Sequence, residues 1–291
     1  MRGVATGRAA VSVVNALPLG VGAAVGIEWP ARTIAVLEAS RDRRDAPTVL
    51  PRRSATAVVR AAARTALERY GSGGPARVRL TVRSTIPVAR GLKSSSAVTT
   101  SVALATARAG GVDPAPEEIA RLAAEVGMAT GVSATGAFDD ALAGLVPGGV
   151  VTDNRRNVEL RGLDIDPELA VALWIPGRRH PRSPKLRDRF RREHRLARRA
   201  VEAALAGDWT AAMLANTAVV EKVMGYRYDR LHALASRHGA VAAGVTGLGP
   251  AFAVLAPRRR VPAVLRGFPR DGARRSARLF LAPSEEVGEL R

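Results

Sequence analysis

The sequence predicts an α+β (two-layer α/β) chain, and three stretches carry that reading. Arg77 to Thr85 alternates apolar Val78, Leu80 and Val82 with polar Arg79, Thr81 and Arg83, the period-two signature of a half-buried strand. The Ala/Val/Thr/Leu run from about Ser95 to Ala109 is long enough for a helix and is stopped by Gly110-Gly111. Leu169 to Ile175 is a short unbroken apolar run, which fits a strand buried on both faces. Strands and helices alternate in this way through both halves of the chain, which excludes an all-helical fold.

Taken in order, the first 27 residues hold two basic residues, Arg2 and Arg8, ahead of apolar sequence. Asn15 and Pro18 interrupt that sequence and Gly20, Gly22 and Gly26 dilute it, so no apolar run approaches the ~18 residues a membrane-crossing helix requires. A cytoplasmic protein with no membrane segment is the expectation. Arg52 to Tyr70 reads as a helix ending in the Gly71-Ser72-Gly73-Gly74-Pro75 turn. After the Ser95–Ala109 helix, Pro114 and Pro116 open another, with Ile119, Leu122, Ala123 and Val126 as its apolar face. A loop of small residues, Gly127 to Ala137, leads to an Asp pair. Gly144 to Gly149 is a turn before a short strand at Val150-Val151. The character changes at Asp153, which places a boundary between a domain of residues 1–152 and one of residues 153–291. In the second part Ala200 to Leu214 and Thr217 to Met224 read as helices, and Val241 to Leu255 holds a glycine motif on or between strands.

Composition narrows the chemistry. There is no Cys, which excludes disulfides, thiolate metal sites and thiol catalysis. Four scattered His residues form no H-E-x-x-H pattern, so a structural transition-metal site is not expected. With only three Trp, three Tyr and five Phe, the core must be built from Ala, Val and Leu. The formal charge is +19, and Arg178 to Arg199 alone carries eleven Arg and Lys against two acids. Such charge suits a nucleic-acid binder, whose cations release counterions from a phosphate backbone, and equally an enzyme whose ligands are all anions. The basic run lacks interleaved aromatics for base stacking, so no specific nucleic acid is expected.

The strongest motif is Ile86-Pro87-Val88-Ala89-Arg90-Gly91-Leu92-Lys93-Ser94-Ser95-Ser96-Ala97, between a strand and a helix. A small, hydroxyl-rich turn at a helix start presents free backbone N–H groups and the positive end of the helix dipole, a recipe for holding phosphate. Local chemistry also leaves open an ordinary serine-capped helix. No G-x-x-x-x-G-K-[ST] occurs, so this is not a Walker loop. The segment resembles the phosphate-binding motif of the GHMP kinases, and its Gly91-Leu92-Lys93-Ser94-Ser95-Ser96-Ala97 form is similar to that of the archaeal-type shikimate kinases in that superfamily. Thr135-Gly136-Ala137-Phe138-Asp139-Asp140-Ala141 and Gly244-Val245-Thr246-Gly247-Leu248-Gly249-Pro250-Ala251 resemble that branch's second and third motifs, in the same order. The resemblance extends from about Ala5 to Val254.

The resemblance implies a GHMP-type two-domain fold, with a left-handed βαβ unit in the first domain and a ferredoxin-like second domain. It implies ATP- and Mg²⁺-dependent phosphorylation of the 3-hydroxyl of shikimate, with homoserine or another hydroxylated metabolite as the alternative acceptor. The oligomeric state stays open. Pro87, Gly91, Leu92, Lys93, Ser94, Ser95, Ser96 and Ala97 then form the ATP cradle, and Ser95 supplies a hydroxyl to Mg²⁺. Lys93 can reach a phosphate as a point charge. Asp139 is the candidate base, with Asp140 accessory; adjacent acids at a helix start also fit the dipole without any catalytic role. Glu125 lies where some superfamily members hold a second Mg²⁺ ligand, although an exposed helical Glu explains it as well. Asn15, Thr246, Gly247 and Gly249 are the acceptor-site candidates, with Leu248 standing where Thr is usual. Arg178, Arg179, Arg182 and Lys185 are expected to approach a carboxylate substrate or the nucleotide, and to order on ligand binding.

Overall fold

A computed structural model describes residues 1–39, 48–50, 56–71, 76–179 and 185–282. Ten strands and nine α-helices are found there, in the order β1 (Arg2–Val14), β2 (Val21–Ala39), β3 (Thr48–Leu50), α1 (Ala57–Tyr70), β4 (Ala76–Ser84), α2 (Ser94–Ala109), α3 (Pro116–Ala129), α4 (Phe138–Ala143), β5 (Gly149–Asp153), β6 (Val158–Leu163), β7 (Leu169–Pro176), α5 (Leu186–Arg192), α6 (His194–Ala206), α7 (Trp209–Met224), α8 (Asp229–Arg237), β8 (Ala242–Val245), β9 (Phe252–Pro257), α9 (Val261–Gly267) and β10 (Gly272–Arg278).

The long β2 organises the first sheet, whose order is β3-β4-β2-β5-β6 with β1 also paired to β2. One edge of β2 is covered by β1 almost throughout; the other is shared, Val21–Val25 pairing with β5 and Ala31–Ala39 with β4. Pro30 stands at the handover, beside a register shift in the β1 ladder. It has no N–H to give to a ladder, so the irregularity falls where pairing is already broken. β3 and β4 pair in parallel with α1 between them, a βαβ unit of the kind the resemblance implies.

The second sheet, β10-β7-β9-β8, is antiparallel at every ladder. Helices α5 to α8 connect β7 to β8, and α9 connects β9 to β10. Strand–helix–strand–strand–helix–strand with this order is the ferredoxin-like arrangement. β7 is buried at every position, as its unbroken apolar run requires. One core cluster spans both sheets, bringing Val11 and Val13 of β1 together with Val171 and Leu173 of β7 and Met213 of α7.

Helix α2 lies on the first sheet and buries Thr99, Thr100, Ser101 and Thr106 along with its alanines. Thr99 and Thr100 donate to the carbonyls of Ser95 and Ser96, four residues back, at 2.8 and 2.9 Å. Ser101 and Thr33 of β2 share a hydrogen bond of 2.8 Å. These bonds satisfy the hydroxyls of Thr99, Thr100, Ser101 and Thr33, which burial would otherwise strand, and they fix the helix whose first turn faces the site.

Two readings need correcting. β6 pairs with β5, so the first sheet continues to Leu163 and the change of sheet falls between Leu163 and Leu169, beyond the 152/153 boundary. The β6 stretch is missed in sequence because five of its six residues are not buried, leaving no apolar period to read. The C-terminal helices break at Gly207-Asp208, not at 215–216: Gly207 closes α6 with φ +92°, and the Asp208 carboxylate caps α7 by accepting from the Ala211 N–H at 2.9 Å. Residues 51–55, at the start of the Arg52–Tyr70 helix, and residues 72–75 of the following turn lie outside the described residues. Among the described residues no helix is long and apolar enough to cross a membrane.

Candidate active site

A cavity of about 620 Å³ opens over the first turn of α2. Its floor is the loop 91–96, with Gly91, Leu92, Lys93 and the three serines all on the lining, and Pro87 beside them. Lys93 precedes α2 with φ +61°, and no side chain caps the helix. The serine-capped helix that local chemistry left open is therefore not what the chain builds. Instead Ser94, Ser95 and Ser96 of the first turn border the cavity, and since first-turn N–H groups have no partner within a helix, the arrangement suits an anion. Ala97 is buried behind them and donates its N–H to the Lys93 carbonyl at 3.0 Å, so it supports the loop from the protein side.

The loop is held by a second glycine turn. Gly91 has φ +85°, and a Cβ there would lie 1.9 Å from the Thr246 carbonyl oxygen, so only glycine fits. The Thr246 hydroxyl donates to the Gly91 carbonyl at 2.9 Å and accepts from the Ser12 N–H at 3.0 Å. The Ser12 hydroxyl in turn accepts from the Gly247 N–H at 3.0 Å. Asn15 closes the bracket: its side-chain amide donates to the Gly247 carbonyl at 3.3 Å, and its own N–H is held by Asn216 at 2.8 Å. Tyr226 donates to the Leu248 carbonyl at 2.8 Å and Tyr228 to that of Pro250 at 2.9 Å.

The acceptor-site candidates thus divide. Asn15 and Gly247 border the cavity. Thr246 is wholly buried with its hydroxyl spent on Gly91 and Ser12, and Gly249 packs against the Tyr226 ring. Neither is on the lining; both pack behind the 91–96 loop. Ser12 is a site residue that sequence reading missed. Its signal was present, as the lone polar residue in the apolar run Ala9 to Val14.

The carboxylates occupy the opposite wall, at the start of α4. Asp140 pairs with Lys93, Oδ1 to Nζ 2.6 Å, both side chains largely shielded from solvent. Asp139 is only 4% exposed and also lines the cavity. Gly22 of β2 makes room for it, since a Cβ there would fall 2.4 Å from Asp139 Oδ2. Asn154, just past β5, orients it. The Asn154 amide donates to Asp139 Oδ1 at 2.7 Å, while its oxygen accepts from the Asp139 N–H at 3.2 Å and from the Thr152 hydroxyl at 2.6 Å. Burial, with the like charge of Asp140 next to it, pushes the Asp139 carboxyl up to about 7; Lys93 and the Asn154 hydrogen bond oppose the rise. A carboxylate poised near neutrality in a cavity is suited to taking up a proton. Asn154 carries no sequence signal, reading only as a polar residue after a strand.

Two expectations are not met by placement. Glu125 does not border the cavity: it is exposed on α3 and forms a 2.7 Å ion pair with Arg69 of α1, so it is not brought near Ser95 or the Asp pair. In the basic run, Arg178 donates to the Tyr228 hydroxyl at 3.1 Å and stands over the Tyr226 ring, away from the cavity lining. Arg179 and Lys185 are not on the lining either, and Arg182 lies outside the described residues. Arg187 of α5, which the sequence reading did not single out, is.

A family model described as the GHMP kinases N terminal domain matches residues 57–148. The shikimate kinase of Methanothrix thermoacetophila is 34% identical over 258 residues, covering 88% of this chain and 85% of that protein. That of Pyrococcus furiosus is 31% identical over 270 residues, covering 92% of this chain and 97% of its own. Among solved structures, a crystal structure of mevalonate kinase matches with a TM-score of 0.72 at 15% identity, over 96% of this chain and 99% of that one; at such identity the likeness speaks for the fold.

Proposed function

The chain belongs to the GHMP kinases and, within them, to the family of the archaeal shikimate kinases; from that premise we propose that it transfers the γ-phosphoryl group of ATP to the 3-hydroxyl of shikimate in the cavity between the α2 loop and the Asp139 wall. The observation that carries the reading is the meeting, in one cavity, of an uncapped helix start and a buried carboxylate with its pKa raised to about 7.

The roles follow from the geometry. ATP phosphates are held by the N–H groups and hydroxyls of Ser94, Ser95 and Ser96, with Lys93 at the loop's edge. The acceptor hydroxyl binds at Asp139. As its oxygen forms the new bond to the γ-phosphorus, its proton passes to the Asp139 carboxylate, and the bond to the β,γ-bridging oxygen breaks to release ADP. The Asn154 amide keeps one Asp139 oxygen fixed, and Lys93 keeps Asp140 neutralised so that Asp139 can still ionise.

The donor set also suits Mg²⁺. Among the described residues no group of three or more His, Cys, Asp or Glu comes together, and the oxygen donors on the cavity include the serine hydroxyls of the α2 loop and the Asp pair. Mg²⁺ takes few protein oxygens and completes its shell with phosphates and water. Bound there, the ion would neutralise phosphate charge; Ser95 is the residue we assign to it. ATP and a polar metabolite are cytoplasmic pools, which makes the cytoplasm the proposed compartment.

A coupled ADP-release assay with shikimate, quinate and homoserine tests the reading. Shikimate-dependent ADP formation, with phosphate recovered on the 3-oxygen, is expected. ADP release that needs homoserine or quinate and ignores shikimate overturns the acceptor assignment.

A further inference from the structure

A second cavity, of about 530 Å³, lies where the segment leading into α2 meets the end of β7 and the start of β10. Among the described residues its charged side chains are Arg90, Arg270 and Asp271. Pro87 borders both cavities, so the segment 87–91 is a partition between them: Gly91 faces the first and Arg90 the second.

Arg90 is incompletely satisfied. Its Nη2 donates to the Gly177 carbonyl, but its Nη1 is shielded from solvent and has no hydrogen-bond partner. Burial, with the like charge of Arg179, holds the Arg90 guanidinium below its ordinary pKa. Neither Arg179 nor Arg270 makes a hydrogen bond or ion pair among the described residues. Guanidinium groups therefore outnumber the single carboxylate, and one of them keeps a buried donor idle, a state that an acceptor-bearing anion relieves. A second idle donor lies under the lining. Trp174 is 5% exposed, its Nε1 has no partner, and a Cβ on Gly272 would fall 2.6 Å from it.

We propose that this second cavity binds a phosphate group, with Arg90 and Arg270 as its donors and Arg179 as a further positive charge. A carboxylate brings two oxygens and one charge. A phosphate group brings three oxygens and up to two charges, which suits several guanidinium forks at once. Pro87, Ile175 and Ala273 on the same lining leave apolar surface for a small carbon skeleton, so a phosphorylated metabolite fits as well as free phosphate. The site needs neither turnover nor a particular acceptor, so it stands apart from the kinase reading.

Calorimetric titration at low salt, followed in parallel by tryptophan fluorescence, tests the site with two probes, inorganic phosphate and glycerol 3-phosphate. Wild type is compared with Arg90→Gln, Arg270→Gln, Lys93→Met and Arg275→Gln. Lys93 borders only the first cavity, and Arg275 of β10 borders neither. Wild type should bind, with a change in the fluorescence of Trp174 beneath Gly272. Arg270→Gln should weaken that binding roughly tenfold or more, the range for losing a charged hydrogen bond, and Arg90→Gln at least as much. The same binding event should persist in Lys93→Met and in Arg275→Gln. Arg90 adjoins the phosphate loop, so if Arg90→Gln does not fold, Arg270→Gln decides. Glycerol 3-phosphate binding more tightly than inorganic phosphate supports the site and assigns it to a phosphorylated metabolite; the reverse order supports it and assigns it to free phosphate. No binding of either probe at millimolar concentration overturns the proposal. So does binding unchanged in Arg270→Gln, binding lost only in Lys93→Met, or an equal loss in Arg275→Gln, which would reduce the effect to overall charge.

Discussion

The two walls of the cavity are built from similar small residues and do opposite work. The α2 wall offers donors: free N–H groups, three serine hydroxyls and the Lys93 ammonium. The α4 wall offers carboxylates, one of them nearly inaccessible to water. A polyanion belongs against the first and a hydroxyl that must lose its proton against the second. A single bridge, Lys93 to Asp140 at 2.6 Å, ties the walls together. It also divides the Asp pair: Asp140 is paired with Lys93, and Asp139 is held by Asn154. Adjacency in sequence therefore says little about role; the partner decides.

Perturbing one wall at a time breaks that comparison. The largest effect is expected from Asp139→Asn, which keeps shape and loses the proton acceptor. Turnover should fall by about two to four orders of magnitude, while Asp140→Asn should cost far less. Equal losses in steady-state assays would show that the pair acts as a unit. Lys93→Met comes next. It leaves Asp140 unpaired beside Asp139, so the like charge that raises the Asp139 pKa grows. A loss in kcat/KM smaller than that of Asp139→Asn is expected. The acid limb of its pH profile should move to higher pH; a limb that stays in place contradicts the bridge's role.

Ser95→Ala tests the donor wall. Turnover should fall at limiting Mg²⁺ and recover when Mg²⁺ is raised. Thermal stability should hold, because no serine caps α2. Thr246→Val is expected to have the smallest effect on chemistry and a visible one on stability, since it removes buried hydrogen bonds to Gly91 and Ser12 worth about 1–3 kcal/mol. A melting curve like that of wild type would remove Thr246 from the brace.

Much of this was legible in the sequence. Helix α2 starts within one residue of its predicted position, because a turn of small residues and a Gly110-Gly111 stop bound an unambiguous run. β4 and β7 were readable from period and from unbroken hydrophobicity. The ordered glycine motifs did converge in space: the Gly91 and Gly247 turns touch, and the Asp pair faces them. What could not be read was pairing across distance. Nothing local to Asn154 marks it as the partner of Asp139, and of the two readings open for Glu125, metal ligand or exposed helical acid, its pairing with Arg69 supports the second. The Gly207-Asp208 break was hidden because alanine-rich sequence on both sides is equally helical. Arg187 was one of eleven basic residues, and only the burial of Leu186 and Phe190 singles it out.

The raised Asp139 pKa has a consequence for stability as well. The folded chain keeps this proton between the ordinary carboxylate value of 3.8 and about 7, where the unfolded chain has lost it. The contribution of this group to stability is therefore largest at low pH and declines as pH rises through that window. Asp139→Asn removes the penalty, so its melting temperature relative to wild type should be higher at pH 8 than at pH 5. A pH-independent difference between the two proteins would contradict the shift.

The claim that Asp139 accepts the acceptor's proton is tested most directly by the pH dependence of kcat/KM for shikimate in wild type and Asp139→Asn. Wild type should show an acid limb with an apparent pKa near 7, and Asp139→Asn should lose that limb together with most of its activity. A limb that persists unchanged in Asp139→Asn would assign the titration to another group, such as the terminal phosphate of the nucleotide, and would contradict the account.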